Sequence, residues 1–381
     1  MLYLPGEFPL DPDLCYLNHA AIGPWPRRTA QVVANFAQQV MQRGGSDYPD
    51  WLQTEARLRE RLARLVNVDS ADDIALVKNT SEGLSIISQG LAWADGDVVV
   101  GLHGDFCSNQ MAWQALADRG VQYRAVDALS AVDPEQALID ALEPAARLLA
   151  ISTVHFATGY RFDMARLAGA CRERGVLLSV DVIQSLGAVP FDQEAVRADF
   201  ITCGGHKWLL SPEGQGFLYC RPSLRDQVRL HQYGWAMRAS PYGFERDDWE
   251  VAPTARRFEA GTPNMLGIHG MDASLGLFEE IGMERVAALL EQNISLLEHG
   301  LRAIDGIEIL SPSEPGKRAG ILTFRHPACS GSDLHAALSV RNVICSPRAG
   351  GIRLSPHFYT PERVLQCTIE IISQTIQSLR K

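Results

Sequence analysis

Three short segments of the sequence carry residue types that could do chemistry together. Lys207 lies in GGHKW, directly after an apolar run, where a solvated lysine is unexpected. Asp181 ends the apolar run LLSVDV, and a carboxylate is costly to bury there unless it meets a cation or a hydrogen-bond donor. Thr80 and Ser81 lie in KNTSEG, where hydroxyls and backbone N–H groups at a helix start can form an anion site. Taken singly, Lys207 could equally be an ordinary surface lysine, and Asp181 and the KNTSEG segment could be ordinary helix caps.

Together these segments fit one chemistry. A desolvated lysine can form a Schiff base with an aldehyde cofactor. A buried carboxylate can keep a pyridinium nitrogen protonated, so that the ring acts as an electron sink, and a helix N-terminus can hold a phosphate. Pyridoxal 5'-phosphate (PLP) requires all three. We therefore predict a PLP site that contains Lys207, Asp181 and the KNTSEG helix start.

The elements that must position these residues alternate between helix and strand. Strand-like runs at 98–102, 146–154, 176–182 and 198–204 are separated by amphipathic helical segments. Such alternation predicts βαβ units and a mostly parallel sheet, with sites beyond the carboxyl ends of the strands. After residue 262 the pattern changes to a long helical region, short strands and a terminal helix. The expected architecture is a large α/β domain (16–261) and a smaller C-terminal α+β domain (262–381), on which residues 1–15 would pack.

Composition excludes several classes of function. The net charge of −10 argues against a general binder of nucleic acid or anionic membranes. The eight cysteines are scattered without a C-x-x-C pair, so no metal site is predicted and reduced thiols are expected. The N-terminus does not resemble a signal peptide, and no apolar run approaches the ~20 residues that span a bilayer. We expect a soluble, cytoplasmic protein.

The run from Ser179 to Tyr219 resembles the cofactor segment of the class V aminotransferase family of PLP-dependent enzymes, which have fold type I. The resemblance is nearest to the isopenicillin-N epimerase-like and cysteine desulfurase-like branch. Other segments follow in the family's order: YLNHAAIGP (16–24), KNTSEGLS (78–85), GDFCSNQMAW (104–113), FEAGTPNM (258–265) and GGIRLSPHFYTPE (350–362).

The resemblance implies a role for each matching residue at the cofactor. Lys207 would hold PLP as a Schiff base and shuttle the α-proton of the substrate. Asp181 would pair with the pyridine nitrogen, Gln184 would contact the ring hydroxyl and Phe106 would stack on the ring. The implied phosphate ligands are Thr80, Ser81 and His206, with Gly261 and Thr262 from the other subunit.

The resemblance also implies how substrate and subunits are arranged. Arg353 would bind the substrate carboxylate, and Asn18 and His19 would lie in the N-terminal loop that contacts the substrate. If Gly261 and Thr262 serve the neighbouring site, the protein is at least a homodimer with shared active sites. The substrate would be a small amino acid, which the sequence does not name.

Several positions depart from the family. Phe106 stands where desulfurases stack a histidine, and Gly204 stands where many members carry a phosphate-binding serine shortly before the lysine. Phe156 occupies the position of an asparagine near the cofactor oxygen, for which His155 or Thr158 could compensate.

The expected reaction is lyase, epimerase or aminotransferase chemistry at the α or β carbon of an amino acid. An alternative is a cysteine desulfurase or selenocysteine lyase that uses Cys345 as its nucleophile, although ICSPR also fits a buried strand end followed by a turn. A third alternative, a catalytically silent PLP-fold binding protein, is disfavoured by the presence of Lys207, Asp181 and Arg353. No G-x-G-x-x-G follows a predicted strand, which excludes a nicotinamide-dependent Rossmann enzyme.

Overall fold

The computed structural model describes residues 6–245 and 248–380. Its helices are α1 (Arg27–Arg43), α2 (Tyr48–Val66), α3 (Thr80–Gly90), α4 (Cys107–Gln114), α5 (Pro134–Asp140), α6 (Met164–Arg174), α7 (Gln193–Val196), α8 (Met265–Ile281), α9 (Met283–Arg302), α10 (Gly331–Val340) and α11 (Glu362–Leu379). Its strands are β1 (Cys15–Tyr16), β2 (Ile74–Val77), β3 (Val98–Leu102), β4 (Gln122–Val126), β5 (Ala146–Ser152), β6 (Leu177–Asp181), β7 (Phe200–Gly204), β8 (Gly216–Cys220), β9 (Glu308–Ile309), β10 (Leu322–Arg325), β11 (Val343–Ile344), β12 (Ser346–Arg348) and β13 (Gly351–Leu354).

A seven-stranded sheet in the order β2-β8-β7-β6-β5-β3-β4 forms the centre of the larger part. Strand β8 is antiparallel to both of its neighbours, and the other strand pairs are parallel. The inner strands are mostly apolar because helices cover both faces of the sheet, as expected for crossover connections. The predicted α/β fold with a mostly parallel sheet is confirmed. The edge strand β4 was missed because its sequence, QYRAV, is half polar and only partly buried.

The parallel strands bring the chemical residues to one edge of this sheet. Strand β6 ends at Asp181, and β7 ends at Gly204, shortly before Lys207. Strand β2 ends at Val77, immediately before the turn that begins α3. Because parallel strands share one carboxyl edge, these segments meet there although they are far apart in sequence.

A second sheet, in the order β12-β13-β10-β9, is antiparallel and shares an apolar core with α9, α10 and α11. The N-terminal segment joins this part of the molecule. Strand β1 pairs in parallel with β11, and Asn18 forms a bridge with Ser355. Residues 1–5, in the N-terminal segment predicted to pack on this domain, and residue 381, at the end of the domain, lie outside the described residues.

Helix α8 packs against α1 and α2, and its apolar side chains belong to the core of the large sheet. The apolar face of α9 contributes mainly to the core of the small sheet. The predicted domain bounds, 16–261 and 262–381, stay a prediction. From this packing we propose a boundary at the turn around Gly282 instead. In the described part of the chain, no helix is long and apolar enough to cross a membrane.

Candidate active site

A cavity of ≈ 270 Å³ opens at the carboxyl edge of the large sheet, between it and the β12–β13 hairpin. Its lining contains most of the residues that the sequence predicted for the site. These are Thr80, Ser81, Phe106, Asp181, Gln184, His206, Lys207 and Arg353.

Four predicted residues do not line this cavity. His19 is fully buried, with Nδ1 2.9 Å from the carbonyl oxygen of Ser355 and Nε2 2.7 Å from the Tyr359 hydroxyl. Asn18 lies behind the cavity wall, where its Oδ1 accepts a hydrogen bond from the Ser346 hydroxyl. Gly261 and Thr262 are exposed on the surface of this chain. Their role in a neighbouring subunit's site, and the contact of Asn18 and His19 with substrate, stay predictions.

Lys207 follows β7 and is 8% exposed, with Nζ 5.3 Å from the centroid of the Phe106 ring. Burial lowers the pKa of the amine to about 8, although Asp181 opposes the shift. The backbone around Lys207 is held by the N-terminal loop, where Gly23 donates a hydrogen bond to the carbonyl of His206. A Cβ at Gly23 would lie 2.2 Å from the Lys207 carbonyl oxygen, so only glycine permits this approach. The amine is therefore desolvated, and a larger fraction of it is in the neutral, nucleophilic form than for an ordinary lysine at the same pH.

Asp181 is 3% exposed, and both of its carboxylate oxygens accept hydrogen bonds. The Ile183 amide donates to Oδ1 at 2.9 Å, and the Asn109 side-chain amide donates to Oδ2 at 3.0 Å. Burial raises the pKa of Asp181, and these two donors and Lys207 oppose that shift. Asn109 was not among the predicted site residues, although it lies in the motif GDFCSNQMAW, which resembles a family segment.

Both the nitrogen and the oxygen of the Gln184 side-chain amide form hydrogen bonds within the protein. Its Nε2 donates to the Ala20 carbonyl at 3.1 Å, and its Oε1 accepts from the Trp208 indole at 2.9 Å. One Nε2 hydrogen remains for a ring hydroxyl in the cavity.

The other end of the cavity is suited to a phosphate. Helix α3 begins at Thr80, whose buried hydroxyl has no hydrogen-bond partner among the described residues. The hydroxyls of Ser81 and Ser108 lie 2.9 Å apart beside it, and Ser108 was not predicted. A Cβ at Gly204 would lie 3.3 Å from Nδ1 of His206, so the glycine leaves room for that ring. An orphaned hydroxyl, a helix N-terminus and an imidazole together fit a phosphate group.

The aromatic side of the cavity is formed by Phe106 and Phe156, whose rings meet edge-on with centroids 5.5 Å apart. His155 and Thr158 lie 2.9 Å apart, side chain to side chain, and neither lines the cavity, so compensation by either for the family's asparagine stays a prediction.

Arg353, on β13, is a buried cation that no carboxylate in the described part of the chain neutralises. Its Nη1 donates to the Phe156 carbonyl at 2.8 Å, Nη2 lies 3.5 Å from Oδ1 of Asn18, and Nε has no partner. Burial lowers the pKa of the guanidinium to about 9, and nearby Arg348 contributes to the shift. Arg348, which the sequence analysis did not predict, also lines the cavity. This arrangement fits an anionic ligand such as a carboxylate.

The comparison that decides the family is a match over most of the chain: the model of the Aminotransferase class-V family covers residues 15–355. The chain belongs to the class V aminotransferase family. A "Probable cysteine desulfurase" of Methanothermobacter thermautotrophicus is 29% identical over 97% of this chain and 96% of the relative. An "Uncharacterized aminotransferase YcbU" of Bacillus subtilis is 29% identical over 87% of each chain.

Solved structures share the fold of this chain. The complex between the cystine C-S lyase C-DES and its product cysteine persulfide has a TM-score of 0.88 and 25% identity, covering 95% of this chain and 98% of that one. The apo cysteine desulfurase from Thermococcus onnurineus NA1 has the same fold, with a TM-score of 0.87, 22% identity and 99% coverage of each chain. The predicted fold type I is confirmed.

As a class V member, the protein is a PLP-dependent enzyme that acts on an amino acid. The amine, the buried carboxylate and the phosphate-binding helix start in the cavity fit that cofactor. The prediction of PLP is confirmed, and a silent binding protein is set aside.

Proposed function

We propose that the protein is a lyase that eliminates a sulfur leaving group from the β carbon of an amino acid, with cystine as the leading substrate. The observation that carries the proposal is the set of side chains that line the cavity. It holds the amine of Lys207 and the guanidinium of Arg353, but no cysteine is among the described residues that line it. A reaction that transfers sulfur to a protein thiol needs such a cysteine, whereas elimination does not.

Cys345 is the cysteine that the sequence analysis considered for this role. It is 5% exposed and packs in the core of the small sheet, between β11 and β12. Burial raises the pKa of its thiol to about 12, so the thiolate is scarce at neutral pH. A tight hairpin follows, because β12 and β13 are joined through Ala349 and Gly350, both at positive φ. These features favour a structural thiol over a mobile nucleophile.

The residues of the cavity can carry out an elimination without that thiol. PLP, when bound, supplies an electron sink for the negative charge that develops at the α carbon. Lys207 can remove the α-proton with Nζ and return a proton to the leaving sulfur, since its pKa of about 8 suits both steps. Arg353 can orient the α-carboxylate as a two-pronged donor, with Asn18 and Phe156 holding it from behind.

Cystine provides a balanced reaction. Elimination breaks one Cβ–S bond, and with one water the products are pyruvate, ammonia and cysteine persulfide. Cysteine persulfide is the product named for the C-DES complex. The reaction needs no external oxidant or reductant. The elimination of cysteine itself would give hydrogen sulfide instead.

The test compares products for the wild type and Cys345→Ala. The enzyme loaded with PLP is given cystine or cysteine, and pyruvate, ammonia and alanine are measured. We expect pyruvate and ammonia in equal amounts, with at least half of the activity kept in Cys345→Ala. Production of alanine that requires Cys345 would instead establish a desulfurase.

Cysteine desulfurase is the second candidate, because several relatives carry that name. It would require Cys345 to leave the core, or another thiol to reach the cavity. The product test separates the two candidates, since a desulfurase yields alanine and an elimination yields pyruvate.

The homodimer with shared active sites is also proposed. Gly261 and Thr262 are exposed, and Tyr233, Phe244 and Trp249 present exposed rings on the segment that precedes them. Sharing is tested by mixing two inactive variants, Lys207→Ala and Thr262→Glu. If subunits exchange residues, mixed dimers contain one complete site and activity returns. A cytoplasmic location stays a prediction.

A further inference from the structure

Asp105 is a buried carboxylate that the chemistry above does not use. It lies between β3 and α4 and is 4% exposed. Its Oδ1 accepts a hydrogen bond of 2.7 Å from the Phe106 amide, and the Ser152 hydroxyl lies 3.0 Å from both carboxylate oxygens. No Lys, Arg or His side chain in the described part of the chain forms an ion pair with it. A buried carboxylate without a counter-ion is costly, which calls for an explanation.

Asp105 is linked to Asp181 by a chain of hydrogen bonds. The amide nitrogen of Asn109 donates to the Ser152 hydroxyl at 2.9 Å and to Oδ2 of Asp181 at 3.0 Å. The Ser152 hydroxyl oxygen accepts this hydrogen bond from Asn109. Its own single proton is therefore available for donation to the Asp105 carboxylate. Ser152 and Asp181 are register partners on β5 and β6, so the sheet holds the two ends in place.

We propose that Asp105 is a positioning residue that acts through Ser152 and Asn109 on Asp181. It orients the Asp181 carboxylate, which would pair with the pyridine nitrogen of PLP, and in its ionised form it adds negative charge that would favour the protonated nitrogen. The inference rests on the proposed PLP-dependent function and on the predicted pairing of Asp181 with the pyridine nitrogen. In agreement, burial and then the charge of Asp181 raise the pKa of Asp105 to about 7, so the two carboxylates interact.

A purely structural role is the competing explanation, because Asp105 also holds the Phe106 amide at the start of α4. The two roles are separable by substitution. Ser152→Ala breaks the chain to Asp181 and leaves the contact with Phe106 intact. Asp105→Asn removes the charge but keeps an acceptor for Ser152 and Phe106. Ser179→Ala is the matched control, since its buried hydroxyl lies on β6 and has no partner among the described residues.

The experiment measures dissociation constants of the apoprotein for PLP and for 1-deaza-pyridoxal phosphate, in which C–H replaces the ring nitrogen. We expect the wild type to prefer PLP. Ser152→Ala and Asp105→Asn should weaken PLP binding by about 5- to 10-fold, within the range of one ordinary hydrogen bond, and leave binding of the deaza compound within about twofold. Ser179→Ala should change neither constant.

Each other outcome overturns a defined part of the inference. If Ser152→Ala and Asp105→Asn weaken both compounds equally, or behave as Ser179→Ala does, the relay to Asp181 is refuted and the role of Asp181 stands. If the wild type binds both compounds equally, Asp181 does not act on the ring nitrogen, and the inference fails with that assignment.

Discussion

The amine of Lys207 lies 5.3 Å from the centroid of the Phe106 ring, inside the cavity at the carboxyl edge of the large sheet. The nucleophile and the stacking surface therefore bound the same space. Asp181 and Thr80 line the same cavity, so the aldehyde, ring nitrogen and phosphate of PLP would have Lys207, Asp181 and Thr80 as partners there.

Replacing Lys207 with alanine should abolish the yellow colour of the protein loaded with PLP, because no other amine lines the cavity in the described part of the chain. The measurement is the visible absorption spectrum after incubation with excess PLP and removal of the unbound cofactor. Lys78→Ala is the control and should stay yellow, since Lys78 is an exposed lysine near the same helix start. A wild-type protein that remains colourless would refute the cofactor assignment.

The rate at which apoprotein takes up PLP should rise with pH through a midpoint at about 8 and level off at higher pH. Only the neutral amine attacks the aldehyde, and burial lowers the pKa of Lys207 to about 8 from the ordinary 10.5. The rate is followed by absorbance and divided by that of a free lysine derivative, which removes the titration of PLP itself. Asp181→Asn should move the midpoint lower, because the Asp181 charge raises the pKa of Lys207. A midpoint near 10.5 would contradict the desolvated amine.

Phe106→Ala should weaken PLP binding by about 2- to 12-fold, since aromatic stacking contributes roughly 0.5–1.5 kcal/mol beyond burial. Phe106→Tyr keeps the ring and should bind PLP as the wild type does. Both dissociation constants are measured by titration of the apoprotein. Equal binding by the alanine and tyrosine variants would show that Phe106 does not stack on the cofactor.

Arg353→Lys should lower kcat/KM for amino-acid substrates by about 100-fold, because lysine cannot reproduce two parallel charge-assisted hydrogen bonds. The spectrum of bound PLP should be unchanged. The matched control is cystamine, the analogue of cystine without carboxylates, whose reactivity should be the same in both proteins. A similar loss with cystamine would indicate that Arg353 acts on the cofactor or the fold.

Much of the cofactor site was predictable because it depends on local patterns. An apolar strand that ends in aspartate, and a second that leads into GGHKW, must deliver Asp181 and Lys207 to one edge of a parallel sheet. Likewise, Asn79 caps the helix that begins at Thr80, as KNTSEG indicates. These features follow from sequence neighbours, which the sequence displays directly.

Contacts between distant segments were decided only by the tertiary structure. The sequence left Cys345 open as a nucleophile or a buried thiol, and packing between β11, β12 and their neighbours places it in the core. The hydrogen bonds of Ser355 and Tyr359 to both ring nitrogens of His19 were likewise not visible in the sequence, and the predicted contact of His19 with substrate stays a prediction.

The hydrogen bonds that hold Asp181 from behind the cavity were also decided only by the tertiary structure. Asp105 and Asn109 come from one segment, whereas Ser152 and Asp181 lie on two strands, and the register of β5 with β6 helps to bring them into one hydrogen-bonded chain. The sequence by itself determined which groups reach the sheet edge, because strand direction and helix capping are local. The tertiary structure decided which groups face the cavity and which are buried behind it, because burial depends on residues far apart along the chain.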